Sequence, residues 1–214
     1  MLEKLPEVIG QALSGVRAGL DHIAFNTLGL RQGLGAIELS SLAFADHAPM
    51  PQRYTADGEG LSPPLSWIKV PPAARGLLLL VEDADSPTPH PLVHAIVVGL
   101  DAADGALAEA AMASPGHDGA GLHQGRNSFL QAAWLPPDPP RGHGVHRYAF
   151  QLFALDTAPE FSEAPGRDEV LAALRQHAFA SGLLVGTYER PDTSIKTPVD
   201  VDATVSAAGP RLAT

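Results

Sequence analysis

Two stretches leave this chain little choice of fold. Arg75–Glu82 (RGLLLLVE) and Val93–Val98 (VHAIVV) are short, almost wholly apolar, and close to proline, glycine or acidic residues. Brief continuous apolar runs of this kind are the pattern of strands covered on both faces. Arg147–Leu155 (RYAFQLFAL) and Leu183–Tyr188 (LLVGTY) add two more segments of strand type. Between those two, Asp168–Ala178 (DEVLAALRQHA) starts acidic and places Val170, Leu171, Leu174 and Ala178 at helical spacing, which predicts one short helix. Upstream, PMPQRYTADGEGLSPPLSWIKVPPAARG is dense in turn residues and reads as loops between short strands. Few helices among many short strands predict a mainly β chain, an antiparallel Greek-key β-sandwich.

The termini differ in texture. Leu5, Val8, Ile9, Ala12, Leu13, Val16 and Leu20 recur at helical spacing and predict an amphipathic N-terminal helix, packed on its own domain or on a second copy as a homodimer contact. The last 24 residues contain no aromatic side chain and little periodicity, the pattern of a tail. The chain therefore divides into an N-terminal helical extension (1–36), a β-sandwich (37–190) and a C-terminal tail (191–214). Its 214 residues suffice for one domain with a real core.

Charge narrows the partners. Fourteen basic against 24 acidic side chains give a formal charge of −10, and the basic ones form no cluster. Nucleic acid demands a positive footprint and is not expected as a partner. No segment approaches the roughly 18 apolar residues of a membrane span, and the start lacks a basic, then apolar, export signal, so a cytoplasmic protein is the expectation. Without cysteine there is no disulfide, thiolate ligand or cysteine nucleophile.

Chemistry-bearing residues gather at two strand ends. One is VEDADSPTPHPLVH, where a leucine-rich strand runs into Glu82, Asp83, Asp85 and Ser86. The other is Gly142–Tyr148 (GHGVHRY), in which His146 and Tyr148, two apart, share a face of an extended chain. With Phe150, Leu152 and Ala154 continuing that face inward, the two stand at the rim of the core. Gly142 and Gly144 would let backbone amides approach a ligand, while the prolines at 136, 137, 139 and 140 stiffen the incoming loop. An amide nest beside an imidazole and a phenol suits an anion such as phosphate. The alternative use of His146 is to satisfy a buried carbonyl. His90 and His94 in a strand lie about 13 Å apart and cannot share an ion. Asp83, Asp85, His94 and His146 are metal-capable types without diagnostic spacing, and no metal or cofactor is expected. No G-x-S-x-G elbow is present.

Six pieces of the sequence together resemble a known family: Tyr54–Trp67 (YTADGEGLSPPLSW), Val81–Pro87 (VEDADSP), His94, Gly125–Phe129 (GRNSF), Pro139–Asp156 and Gly186–Arg190 (GTYER). In order and spacing they are similar to the phosphatidylethanolamine-binding protein family, specifically its bacterial Raf-kinase-inhibitor-like branch, over roughly residues 37 to 190. The resemblance implies a β-sandwich with a small pocket at one end that accepts phosphate, acetate or a phospholipid head group. It implies pocket roles for Asp83, Asp85, Pro87, His94, Pro140, His146 and Tyr148, and makes Ser86–Pro87 the candidate for a cis peptide. Ala84 stands where the family motif has proline, and Leu92 and Ala95 where the branch has tryptophans.

The reading that follows is a binding protein for a small anionic ligand: Asp83 pairs with His146 and favours its protonated form, Asp85 braces the loop or meets an ammonium group, and the nest amides and Tyr148 donate to the anion. Inhibition of a kinase or other protein partner is the second reading. Acid–base catalysis by His146 and Asp83 is the third.

Overall fold

Strand β4 (Gly76–Asp83) is buried at every position, as its leucine run requires. The structure, a computed structural model, describes residues 11–13, 15–30 and 37–190. Around β4 stand β1 (Glu38–Ser40), β2 (Ala48–Pro49), β3 (Leu65–Ile68), β5 (Leu92–Leu100), β6 (Gly105–Leu107), β7 (Gln124–Gly125), β8 (His146–Leu155) and β9 (Ala178–Tyr188). They form a three-stranded sheet in the order β1-β3-β6 and a six-stranded sheet in the order β2-β9-β8-β4-β5-β7. The four segments of strand type are β4, β5, β8 and β9, the contiguous centre of the larger sheet. The small sheet comes from the turn-rich sequence and from strands of three or four residues.

Neighbouring strands are antiparallel except at one edge, where β2 runs parallel to β9. This corrects the all-antiparallel expectation. No hairpin joins β2 to β9; the edge is set instead by the His47 and Met50 N–H groups, which donate to Val185 O and Thr187 O.

The faces of β4 explain its continuous hydrophobicity. Leu77, Leu79 and Val81, with Phe150 and Leu152 of β8, meet Leu39, Trp67 and Leu107 of the small sheet in the main core. Leu78 and Leu80 point the other way and pack with Phe153 on Val170, Leu171 and Leu174. Those three belong to the helix Arg167–His177, placed within a residue of its expected bounds, with Asp168 and Glu169 in its first turn.

The N-terminal helix through Leu20 does not form as the periodicity suggests. Residues 11–13 are helical, but Gly15 lies in a turn; a 3-10 turn (Leu20–His22) and a four-residue helix (Ala24–Thr27) follow only after an irregular stretch. The physical reason is competition for backbone groups. Ala18 and Gly19 N–H donate to Ser86 O and Ala84 O, and Gly19 sits at φ 93°, outside helical space for a side-chain-bearing residue. Ile23 is fully buried and packs with Ala84 and Ala149 of the chain's own domain. Leu5, Val8, Ile9 and the tail from 191 lie outside the described residues.

Glu82 ties this segment to the sheet. Its carboxylate, fully buried, accepts from Ala24 N–H (2.8 Å), Gln151 Nε2 (3.0 Å) and Arg167 Nε and Nη2 (both 2.8 Å). Glu82→Ala strands the Arg167 charge in a partly buried place, and is expected to lower the unfolding free energy by roughly 3–5 kcal/mol in urea denaturation.

Candidate functional site

At one end of the larger sheet, the end of β4, the starts of β5 and β8, and the loop 135–139 enclose a cavity of ≈ 50 Å³. A water needs about 10–15 Å³ by this measure, so the space holds a few waters or one small polyatomic ion. Its walls are Asp83, Ser86, Pro87, Leu92, His94, Phe129, Leu135, Pro136, Asp138, Pro139 and His146. Of the residues proposed from sequence, Asp83, Pro87, His94 and His146 converge on it.

His94 gets there through an irregularity. Val81 pairs with Ala95 and Glu82 with Val93, which leaves His94 as an extra residue in β5, a β-bulge. Such a bulge breaks strict alternation and re-aims a side chain. The His94 ring meets Tyr148 edge-on, with centroids 5.0 Å apart. Its Nδ1 lies 2.6 Å from Leu135 O, and since a carbonyl only accepts, Nδ1 carries the proton and Nε2 is a lone pair. That Nε2 and the Tyr148 hydroxyl are both buried without a protein partner. Burial holds His94 below the ordinary imidazole range despite the nearby Asp83 carboxylate, and pushes the Tyr148 phenol well above its ordinary range. At neutral pH the cavity thus meets a neutral imidazole, and the phenol edge-on against that ring keeps its proton.

His146 is engaged on both sides. Its Nδ1 is 2.8 Å from Asp83 Oδ2, the pairing expected from sequence, and its Nε2 is 2.7 Å from His143 Nδ1. Asp83 Oδ1 accepts from Asp85 N–H at 2.8 Å.

The remaining sequence-derived candidates, Asp85, Pro140, Gly142, Gly144 and Tyr148, are not among the lining residues. Asp85 braces the loop: its buried carboxylate accepts from Arg147 N–H, Nε and Nη2 at 2.7–2.8 Å and lies 2.9 Å from Arg17 Nη1. Burial alone would raise this carboxyl, but the arginine hydrogen bonds outweigh it and hold it low. Gly142 and Gly144 do adopt positive φ (73° and 88°), and the loop they shape presents carbonyls to a cation. His143 O and Val145 O accept from Arg17 Nη2 and Nη1 at 2.9 and 2.8 Å, and a Cβ on Gly144 would come within 3.3 Å of that guanidinium. These two carbonyls of the loop receive the Arg17 guanidinium. No peptide bond among the described residues is cis, so Ser86–Pro87 is trans. Ala84 N–H donates to Arg147 O, a bond that proline at this position would forgo.

The far wall depends on Arg190, at the end of the GTYER piece. Its guanidinium is buried, binds Asp57 through Nε (2.8 Å to Oδ2), donates to Pro139 O (3.2 Å) and meets Asp138 Oδ1 at 2.6 Å. Tyr188 OH donates to the same Asp57 at 2.7 Å. No cluster of three or more metal-ligating side chains exists among the described residues, and no helix there is long and apolar enough to cross a membrane.

Residues 40–189 match the phosphatidylethanolamine-binding protein family. The chain belongs to this family. Its curated relatives include a UPF0098 protein of Methanothermobacter thermautotrophicus, 36% identical over 154 residues that cover 72% of this chain and 99% of the relative. Another, the UPF0098 protein PH1269 of Pyrococcus horikoshii, is 30% identical over 193 residues, 89% of this chain and 95% of the relative. Among solved structures, the phosphatidylethanolamine-binding protein homologue CT736 of Chlamydia trachomatis superposes with TM-score 0.65 at 36% identity, over 73% of this chain and 99% of its own. YbcL of E. coli gives 0.66 at 25% identity, over 72% and 99%. As a phosphatidylethanolamine-binding protein family member, the chain carries its N-terminal segment and tail outside the matched stretch.

The buried neutral His94 sets a pH dependence for this family member. The unfolded chain takes up this proton near pH 6.5, the folded one only at lower pH. The stabilisation is therefore complete above about pH 6.5 and is lost as pH falls from there through the folded value. Unfolding free energy measured from pH 7.5 down to about pH 5 is expected to decline, and His94→Asn, which retains a donor for Leu135 O, should flatten that decline.

Proposed function

We propose that the cavity binds a small acidic ligand in a form that still carries a hydrogen-bond donor: free phosphate or acetic acid through an O–H, or a phospholipid head group through its ammonium. The observation behind this reading is His94 Nε2, a buried lone pair at the wall without a protein partner. Beside it stand the carboxylates of Asp83 and Asp138, so the wall offers acceptors. A fully ionised anion finds repulsion there; dihydrogen phosphate or a protonated phosphomonoester, with its last proton lost near pH ~6, can donate to His94. The repulsion is moderated because Asp83 is paired with His146 and Asp138 with Arg190. An ethanolamine ammonium would in turn be met by the two carboxylates.

Binding fits this cleft better than turnover. Both ring nitrogens of His146 are occupied by Asp83 and His143, which leaves neither aimed at a substrate. Family membership supports the location of the pocket.

Calorimetric titration with inorganic phosphate and with phosphoethanolamine tests the reading. Affinity is expected to rise as pH falls from 7.5 to about 5.5, as the ligand gains its proton while the buried His94 stays neutral. His94→Phe, which removes the buried acceptor, should weaken it roughly 5–10-fold, the worth of about one hydrogen bond. Stronger binding of phosphoethanolamine, or of vesicles containing phosphatidylethanolamine, would assign the head group; stronger binding of phosphate, the free ion. Absence of saturable heat with each of these across the pH range would overturn the assignment.

A further inference from the structure

The Asp83–His146 pair does not end at the cavity. His143, buried between two glycines, receives His146 Nε2 at its Nδ1 (2.7 Å), and its own Nε2 lies 2.8 Å from the carbonyl of Leu13. Leu13 leads into the segment whose Arg17 reaches His143 O, Val145 O and Asp85, and whose Ala18 and Gly19 amides bond Ser86 O and Ala84 O. We propose that His143 is a positioning residue that makes the N-terminal segment part of the cavity: one proton shared between His143 and His146 completes a chain of hydrogen bonds from Asp83 to Leu13 O, linking the docking of that segment to the state of the pocket.

Proton counting carries the proposal. Leu13 O can only accept, so His143 Nε2 carries a hydrogen. An ionised Asp83 likewise accepts from His146 Nδ1. The 2.7 Å bond between the rings needs one hydrogen more, so three bonds hold three protons, one above what two neutral imidazoles possess. The chain is then neutral as a whole, an imidazolium-imidazole pair against one carboxylate. Removing the shared proton leaves two lone pairs facing each other across that distance; adding another sets two N–H groups head on. The chain is complete only between those limits.

The surroundings agree. Burial and the charge of His146 hold His143 below the ordinary imidazole range, which keeps the shared proton on His146 Nε2. Each neighbouring element brings its own groups: Asp83 from β4, Asp85 beyond it, neutral His94 from β5, Arg147 and Tyr148 from β8, Asp138 from the proline loop and Arg17 from the N-terminal segment. Asp85 is met by both arginines, and Asp138 by Arg190, which leaves Asp83 as the counter-charge to the ring pair.

Ring-nitrogen correlation spectra of the full chain from about pH 5 to 9, together with hydrogen exchange at the Ala18 and Gly19 amides, test this. In the middle of the range, His146 should carry protons on both nitrogens and His143 on Nε2 alone. Over the same window the two amides should be most protected, with protection falling about tenfold on the alkaline side, as for one lost hydrogen bond. His143→Asn keeps an acceptor for His146 but falls short of Leu13 O; His143→Gln reaches Leu13 O but releases His146. In both, protection should drop and lose its pH dependence. Two rings titrating as independent imidazoles, or amide protection indifferent to pH and to both substitutions, would overturn the proposal. Neither readout uses a ligand, so its failure and a failure of phosphate binding are separate results.

Discussion

Asp83 stands opposite Tyr148 in the β4–β8 register, and His146 lies one pleat further along the same face of β8. Strands are held about 4.8 Å apart by their ladder, and slipping one residue would turn the whole set to the other face. The register is held by the main core, where Leu77, Leu79 and Val81 meet Phe150, Leu152 and Ala154. The carboxylate–imidazole pair is thus a consequence of hydrophobic packing along two strands, and the cavity inherits its shape from where those strands stop.

Around that pair, buried charge is met by opposite charge. Glu82 meets Arg167, Asp85 meets Arg147 and Arg17, and Asp57 and Asp138 meet Arg190. Ionised groups taken out of water require such partners, since an unpaired one costs several kcal/mol. This accounts for how an acidic chain can place several carboxylates at one end of its sheet. The same pairing anchors segments far apart in sequence, because each arginine comes from a different part of the chain.

Much of this was legible in the residues. Continuous apolar runs marked β4, β5, β8 and β9, since burial on both faces leaves no room for polar alternation. The helix Arg167–His177 was legible from its acidic start and apolar spacing. Asp83, His94, His146 and Pro87 were marked as pocket residues by the resemblance. Three features were not legible. Helical periodicity before Leu20 also fits a segment whose amides are claimed by Ala84 and Ser86, strand-end residues some 65 positions away. Gly142 and Gly144 permit several loop conformations, and the contact of its carbonyls with Arg17, arriving from the N-terminal segment, is set by residues 128 and 126 positions away. The wall residues Leu135, Pro136, Asp138 and Pro139 depend on where Arg190 draws their loop.

By itself the sequence determined which segments must be strands, which face of β8 turns inward, and which residue types gather at one end, because local hydrophobic pattern answers to burial and burial repeats with the strand. Tertiary structure alone decided what those residues do for one another: the bulge that aims His94, the two engaged nitrogens of His146, and the N-terminal segment laid against His143. A hydrogen bond depends on fractions of an ångström between atoms distant in sequence, and no local pattern encodes that distance.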